Sequence, residues 1–349
     1  SFVSTKVALF QPIYTNYTDL LFALGNDTFS IKDSVFDRKL NTSVPVPVTH
    51  IDFFVITDSF ARSLPEMYGT CCVGGACMSC CDDSCASRED IYPIVFLHGH
   101  DFSESVSPEA NLNIFSSLQR ELEDTKDIYN FGSFVFNDPS HIASGLWGKL
   151  PHRISIRSSY YFETGAFQDR VSIFQAKKNN IDTYAIRLHD LITTITKKTG
   201  REKVIIVSHS MGGLVTRRYL QIFGEDQVSQ VIFIAAPHHG VSGNIERYCG
   251  LFGSEAECDD MKRDSLFLKK LELAEVPSIE SHNIIGIGCS MGDETGDGIV
   301  ENSSAYLSWA QNHYIAGTCS DFGFAYLHND IVDPTQYPEV SVLLADLVS

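Results

Sequence analysis

Basic residues are scarce in this chain of 349 residues, where 26 Lys and Arg stand against 44 Asp and Glu for a formal charge of −18. A surface of that sign repels phosphate backbones and anionic headgroups, which argues against nucleic acid as a partner. Long apolar runs are also missing. Nothing in the sequence approaches the roughly 20 consecutive apolar residues that span a bilayer, so no transmembrane segment is expected. The start lacks the basic-then-apolar pattern of a secretion signal, and a first residue Ser1 in place of Met fits a chain already processed. Internal repeats and low-complexity tracts are absent too, which leaves an ordinary globular organisation.

What is present is enough apolar material for a sizeable core: 44% of residues are hydrophobic and 11% aromatic. That suits one large α/β domain, or one domain with an appendage. The cysteines number ten, an even set at 71, 72, 77, 80, 81, 85, 249, 258, 289 and 319. Such density is normal where disulfides persist and unusual in a reducing cytosol. Sequons beginning at Asn16, Asn26, Asn41 and Asn302 fit the same compartment, so a secreted or lumenal glycoprotein is expected.

Residues 1–90 read as a β-containing extension, with a β-rich run at His50-Ile51-Asp52-Phe53-Phe54-Val55-Ile56-Thr57 and a stapled loop at 71–85. From Ile91 onward, short apolar runs alternate with helical periods, the pattern of a mainly parallel sheet covered on both faces. Strands are expected at Pro93–Leu97, Val204–Val207, Val231–Ile234 and Ile284–Ile287. Helices are expected at Asn111–Glu123 and after Asn180, the latter striped by Ile181, Tyr184, Leu188, Leu191 and Ile195 and ended by Gly200. The stretch from Phe131 to Lys177 gives no clear pattern. A cap insertion is expected over about 241–275, where Leu251, Phe252, Phe267 and Leu268 supply more apolar surface than an exposed connector carries.

Immediately after the strand Val204–Val207 stands Ser208-His209-Ser210-Met211-Gly212-Gly213, followed by a helical stretch. A strand running through a tight turn into a helix presents the turn serine on a strained backbone, which demands small neighbours two residues away on each side. Gly212 and Ser208 meet that demand, although a glycine is the usual residue where Ser208 stands. Ser210 is therefore the candidate nucleophile. An oxyanion hole needs two backbone donors, and the loop Leu97-His98-Gly99-His100 together with the start of the helix nominates the N–H groups of His100 and Met211. In this architecture the acid and the base follow the serine in that order. Asp297, flanked by Gly296 and Gly298 in what reads as an exposed turn, is preferred over Asp293 as the acid. His328, read as lying in a loop after the last strand, is the candidate base.

These blocks, with Ala235-Ala236-Pro237-His238-His239-Gly240, resemble the successive motifs of the α/β-hydrolase triacylglycerol lipases and the related GPI inositol-deacylase-like (PGAP1-like) hydrolases over about 91–349. The resemblance implies an α/β-hydrolase fold and a Ser210, Asp297, His328 triad that needs no cofactor or metal. It implies a lipid or small-ester substrate, with transient contact to a lipid surface, and nothing in residues 1–90 takes part in it.

His209, His238 and His239 read as structural, since the base role needs one imidazole. The cysteine cluster Cys71, Cys72, Cys77, Cys80, Cys81, Cys85 reads as disulfides rather than zinc, because six thiols and two vicinal pairs suit one tetrahedral site poorly. Cys249–Cys258 and Cys289–Cys319 are the expected remaining bridges. The leading expectation is carboxylic-ester hydrolysis through an acyl-enzyme. Acyl transfer, thioester cleavage or GPI-type deacylation by the same triad is the alternative within the enzyme class, and a catalytically silent binding module is the alternative outside it.

Overall fold

The computed structural model describes residues 88–100, 112–134, 152–162, 178–243, 254–319 and 327–349 in full, and elsewhere only the backbone of strands. Residues Ser1–Cys80 and Cys81–Ser349 are separate compact units. In the first, β1 (Phe2–Thr5) pairs antiparallel with β4 (Phe53–Ile56), β2 (Ser34–Asp37) with β3 (Thr42–Pro45), and β5 (Thr70–Val73) with β6 (Ala76–Ser79). The last hairpin sets Cys72 opposite Cys77 in register. The disulfide pairing within the cluster at 71–85 lies outside the described residues, as do Cys249, Leu251 and Phe252.

The second unit is built on β-branched runs that are apolar on both faces. In β12 (Val204–His209) every residue is buried, and such a strand is stable only between two covering layers. It lies at the centre of a seven-stranded sheet with β7 (Ile94–Leu97), β8 (Tyr129–Phe134), β9 (Ile154–Ser158), β13 (Val228–Ile234), β14 (Glu280–Ile287) and β17 (Gln311–Ala316). The spatial order is β17-β14-β13-β12-β7-β9-β8, and each neighbouring pair is parallel. Strands β8 and β9 come from the stretch whose sequence pattern was opaque. Two separate antiparallel hairpins lie outside this sheet, β10 (Phe162–Phe167) with β11 (Arg170–Gln175) and β15 (Cys289–Met291) with β16 (Glu294–Gly296).

Both faces are covered as the sequence implied. Ile205 and Val207 of β12 join a core with Leu118 and Leu122 of α1 (Ser116–Lys126) and with residues of a C-terminal helix, Val340 and Leu344. α1 begins five residues later than expected from the pattern at Asn111, because the first turn is interrupted and the Leu112 carbonyl accepts from the Arg157 guanidinium at 3.2 Å. α2 (Ile181–Thr199) packs beside α3 (Met211–Phe223). It opens where the Asn180 side chain accepts from Thr183 N–H at 3.0 Å and closes on Gly200 at φ 67°.

After β13 the chain makes α4 (Glu255–Met261) and α5 (Leu266–Glu272). Phe267 and Leu268 are buried at 3% exposure each, whereas Leu266 and Leu273 stand out at 80% and 86%. The apolar residues of this insertion thus divide into an inner set and an outer set. The chain ends through α6 (Asn302–Ala305), α7 (Leu327–Asp330) and α8 (Pro338–Leu347). Among the described residues no helix is long and apolar enough to cross a membrane.

Candidate active site

Ser210 sits at the junction of β12 and α3 with φ 54° and ψ −129°, a conformation that carries a steric penalty for any residue with a Cβ. The junction holds because its surroundings leave no alternative. Ser210 N–H donates to the Ile234 carbonyl at 2.9 Å. A Cβ on Gly212 would lie 2.5 Å from the His98 carbonyl oxygen, and one on Gly99 would lie 2.6 Å from Ser210 Cβ. Glycine at 99 and 212 is therefore required by close approach of backbone to backbone and of backbone to Ser210.

Around this turn the fold brings together three side chains separated by up to 118 positions in sequence. His328 Nε2 lies 2.8 Å from Ser210 Oγ, and His328 Nδ1 lies 2.8 Å from Asp297 Oδ2. The tautomer follows from donor counting. Asp297 can only accept, so Nδ1 carries the hydrogen and Nε2 offers its lone pair to the serine hydroxyl. The second oxygen of Asp297, Oδ1, accepts from Ile299 N–H at 2.9 Å and Val300 N–H at 2.7 Å. Those bonds fix the carboxylate plane. Asp297 and His328 are each 1% exposed and Ser210 7%.

Two local expectations change. Asp297 is not on an exposed turn: its N–H donates to Val300 O at 3.1 Å, and the turn folds the carboxylate inward. Neither is His328 in a loop, since it lies on α7, with its N–H donating to the Asp297 carbonyl at 3.0 Å. The disulfide Cys289–Cys319 spans 30 positions and ties the segment just after β14 to the segment before α7, with Cα atoms 5.3 Å apart. Closing a loop of that length stabilises by roughly 3 to 4 kcal/mol in the chain-entropy view. Cys258 is likewise disulfide-bonded, to a partner outside the described residues.

The two residues expected to donate to an oxyanion follow Ser210 and Gly99 directly in the chain. Met211 is the first residue of α3, where N–H groups have no partner within the helix. His100 follows Gly99, whose backbone lies against Ser210. Among the described residues no group of three or more His, Cys, Asp or Glu is placed to hold a metal ion.

Burial favours the neutral form of two further histidines near the site, His209 and His238. His209 Nε2 donates to the His328 carbonyl at 2.7 Å, and burial, with His328 as the next cause, pushes its pKa from 6.5 down to about 3. His238 is buried and shifted well below 6.5 for the same first reason, and Arg217 adds to it. An imidazole depressed in the folded state takes up its proton first in the unfolded chain. Stability is therefore full above the ordinary histidine value and falls as pH drops from 6.5 toward about 3. The slope approaches about 1.4 kcal/mol per pH unit for each such group. We expect the melting temperature to decline over that window and the decline to be shallower in His209→Asn, which keeps an N–H donor but cannot ionise. An unchanged slope in the variant would remove His209 from the account.

The sequence could not reveal the polar cluster beside the site. His98, Ser159, Tyr160, Tyr161, Tyr184 and Glu257 meet there from four separated segments, with no spacing signal among them.

Comparison with known proteins matches residues 149–257 to the family described as PGAP1-like alpha/beta domain. The match spans less than a third of the chain. The matched stretch carries β9, β12, the Ser210 turn and α3, and it ends at Glu257, before Asp297 and His328. No curated protein sequence matches the chain. Solved structures similar to it include the lipase BlEst2 of Bacillus licheniformis in mature form, at 16% identity and TM-score 0.47, covering 74% of this chain and 94% of that one. A putative cell surface hydrolase from Lactobacillus plantarum WCFS1 is similar at 17% identity and TM-score 0.42, covering 74% and 95%. The phospholipase PlaB of Legionella pneumophila, in complex with thio-NAD, is similar at 14% identity and TM-score 0.42, covering 62% of this chain. The chain spans 44% of the length of that phospholipase. The central architecture is a parallel seven-stranded sheet flanked by helices.

Proposed function

We propose that the protein is a serine hydrolase of carboxylic esters, with Ser210 as nucleophile, His328 as general base and then acid, and Asp297 as the group that orients His328. The observation that carries this reading is the unbroken chain Ser210 Oγ, His328 Nε2 and Nδ1, Asp297 Oδ2, at 2.8 Å and 2.8 Å. In the first half-reaction Ser210 Oγ bonds to the ester carbonyl carbon while its proton passes to His328 Nε2. The carbonyl oxygen becomes an oxyanion facing the N–H groups of His100 and Met211. Collapse breaks the bond to the leaving alkoxide, which takes the proton from His328. Water repeats the sequence on the acyl-enzyme and releases a carboxylic acid.

On this reading the catalytic domain is 91–349, with 1–90 an extension and 241–275 a cap. Acyl chains are the favoured substrates, because a cap with a buried apolar side and exposed Leu266 and Leu273 suits a site that meets lipid. Each substrate methylene withdrawn from water adds about 0.8 kcal/mol. The disulfide Cys289–Cys319 supports a secreted or lumenal setting. The test is a series of p-nitrophenyl esters of rising chain length combined with a fluorophosphonate probe. One equivalent of label on Ser210, and kcat/KM rising from acetate to medium chains, is expected. No label on Ser210 defeats the hydrolase reading, and acetate as the best ester defeats the acyl-chain preference.

A further inference from the structure

Three consecutive residues of the loop after β7 are each held by a polar anchor. The His98 carbonyl accepts from Tyr160 O–H at 2.6 Å. The Gly99 carbonyl accepts from the His98 ring, Nδ1, at 2.7 Å, which leaves His98 Nε2 to accept from Ser159 O–H at 2.7 Å. The His100 ring donates from Nδ1 to Glu257 Oε2 at 2.5 Å, with both side chains at most 2% exposed. Glu257 belongs to α4, 157 positions away, and its two oxygens also accept from Tyr161 O–H at 3.1 Å and from Tyr184 O–H.

The last two of these anchors act on the two ends of one peptide group, the one joining Gly99 to His100. It is trans, as are all peptide bonds among the described residues, so its carbonyl and its N–H point in opposite directions. The carbonyl is fixed on the His98 ring. The N–H therefore leaves from the opposite edge of a peptide whose Gly99 end already abuts Ser210. Rotation of that peptide would have to break the bond to His98, and any shift of the His100 Cα with it would draw the His100 ring off Glu257.

We infer that Glu257 is a positioning residue: through His100 it locks the Gly99–His100 peptide in the orientation that donates its N–H to the oxyanion, coupling the insertion after β13 to the chemical step. The inference rests on the hydrolase reading of Ser210. A fully buried carboxylate with a histidine and two tyrosines on it is costly to form unless every lone pair is used, and here the donors come from three different elements. Burial first, and the Glu257 carboxylate second, push the Tyr184 hydroxyl well above its ordinary value, so it remains a donor. The orientation matters because an oxyanion donor works only where it is preorganised, and a misplacement of about 1 Å costs on the order of a hundredfold in rate.

The experiment compares the full-length protein with Glu257→Gln, His100→Gln and the double variant, each normalised to sites titrated by the fluorophosphonate. Each single variant is expected to lose about tenfold to a hundredfold in kcat with KM changed by less than about twofold. The double variant is expected to lose no more than the worse single one, since both remove the same lock. The inhibition constant of a trifluoromethyl ketone, whose adduct places an oxyanion in the same hole, should rise by the same factor as kcat falls. Loss explained by fewer titratable sites at normal kcat per site would make Glu257 a merely structural residue and overturn the inference, as would losses that multiply in the double variant. Tyr184→Phe, which removes one donor and keeps the ring, should cost a few-fold by the same measures if Glu257→Gln fails to fold, and an unchanged kcat there would equally overturn it. If the unmodified protein hydrolyses no ester and takes no label, the hydrolase reading falls and takes the lock with it. Labelled, active protein with an indifferent Glu257→Gln removes only the lock.

Discussion

Ser210→Ala is expected to lower kcat for a p-nitrophenyl ester by about 10⁴ to 10⁶-fold, because the group removed is the one that forms the acyl bond. What remains is the rate supplied by binding and by the oxyanion donors alone. The variant should melt as the parent does. At φ 54° the penalty comes from the Cβ, which alanine keeps, and the lost hydroxyl gives up a single hydrogen bond, 2.8 Å to His328 Nε2. This pairing of a vanished rate with an unchanged fold is what separates a nucleophile from a buried structural serine. Retention of more than a few per cent of the rate, or a melting temperature that falls with the activity, would remove Ser210 from the chemistry. Fluorophosphonate labelling should disappear in the same variant, which gives a second readout independent of the ester chosen.

Asp297→Asn is the second large effect, about 10⁴-fold in kcat. The argument is one of donors and acceptors. Oδ1 of Asp297 accepts from two backbone N–H groups, at 2.9 Å and 2.7 Å, so an asparagine would place its carbonyl oxygen there and turn its NH₂ toward His328 Nδ1. Nδ1 would then have to accept, and the ring hydrogen would move to Nε2. An imidazole in that tautomer cannot take the proton of Ser210. Burial sharpens the effect, since Asp297 and His328 are each 1% exposed and the pair is shielded from bulk solvent. Phosphonate labelling should slow along with ester turnover while KM changes little. Near-normal turnover would show that the carboxylate at 297 does not orient the base, and would redirect attention to Glu294 or Asp293.

The parts of the site that were legible in the sequence are those whose local pattern carries its own physical necessity. The run Val204–Val207 can only be a strand buried on both faces, and Ser210 between Ser208 and Gly212 at its end has the small neighbours that a strained turn needs. Asn180 and Gly200 bound α2 because one supplies a side-chain acceptor and the other a left-handed cap. The bridge Cys289–Cys319 was legible as the pair left over once the near neighbours Cys249 and Cys258 were joined. By contrast β8 and β9 lie in a stretch with mixed polarity, where Ser155, Arg157 and Ser158 are buried through contacts made elsewhere. Arg157, for example, is held by Leu112 O and Asn113 from a distant segment.

The sequence by itself determined the alternation that builds a parallel sheet, the turn that presents Ser210, and which residue types could serve as acid and base. It could not decide burial, and burial is what the tertiary structure added. Two glycines made Asp297 look exposed, yet its carboxylate is buried because Ile299 and Val300 donate to it and α7 folds over it. The insertion after β13 read as a row of apolar residues, and only packing sorted Phe267 and Leu268 inward from Leu266 and Leu273 outward. Glu257 shows the reason most plainly. A lone acidic residue on a short helix has no sequence signal, since its meaning comes from His100, Tyr161 and Tyr184, which reach it from positions up to 157 residues away. Periodicity and spacing record what neighbours along the chain require of one another, whereas a buried charge is stabilised by partners that only chain folding brings within hydrogen-bond distance.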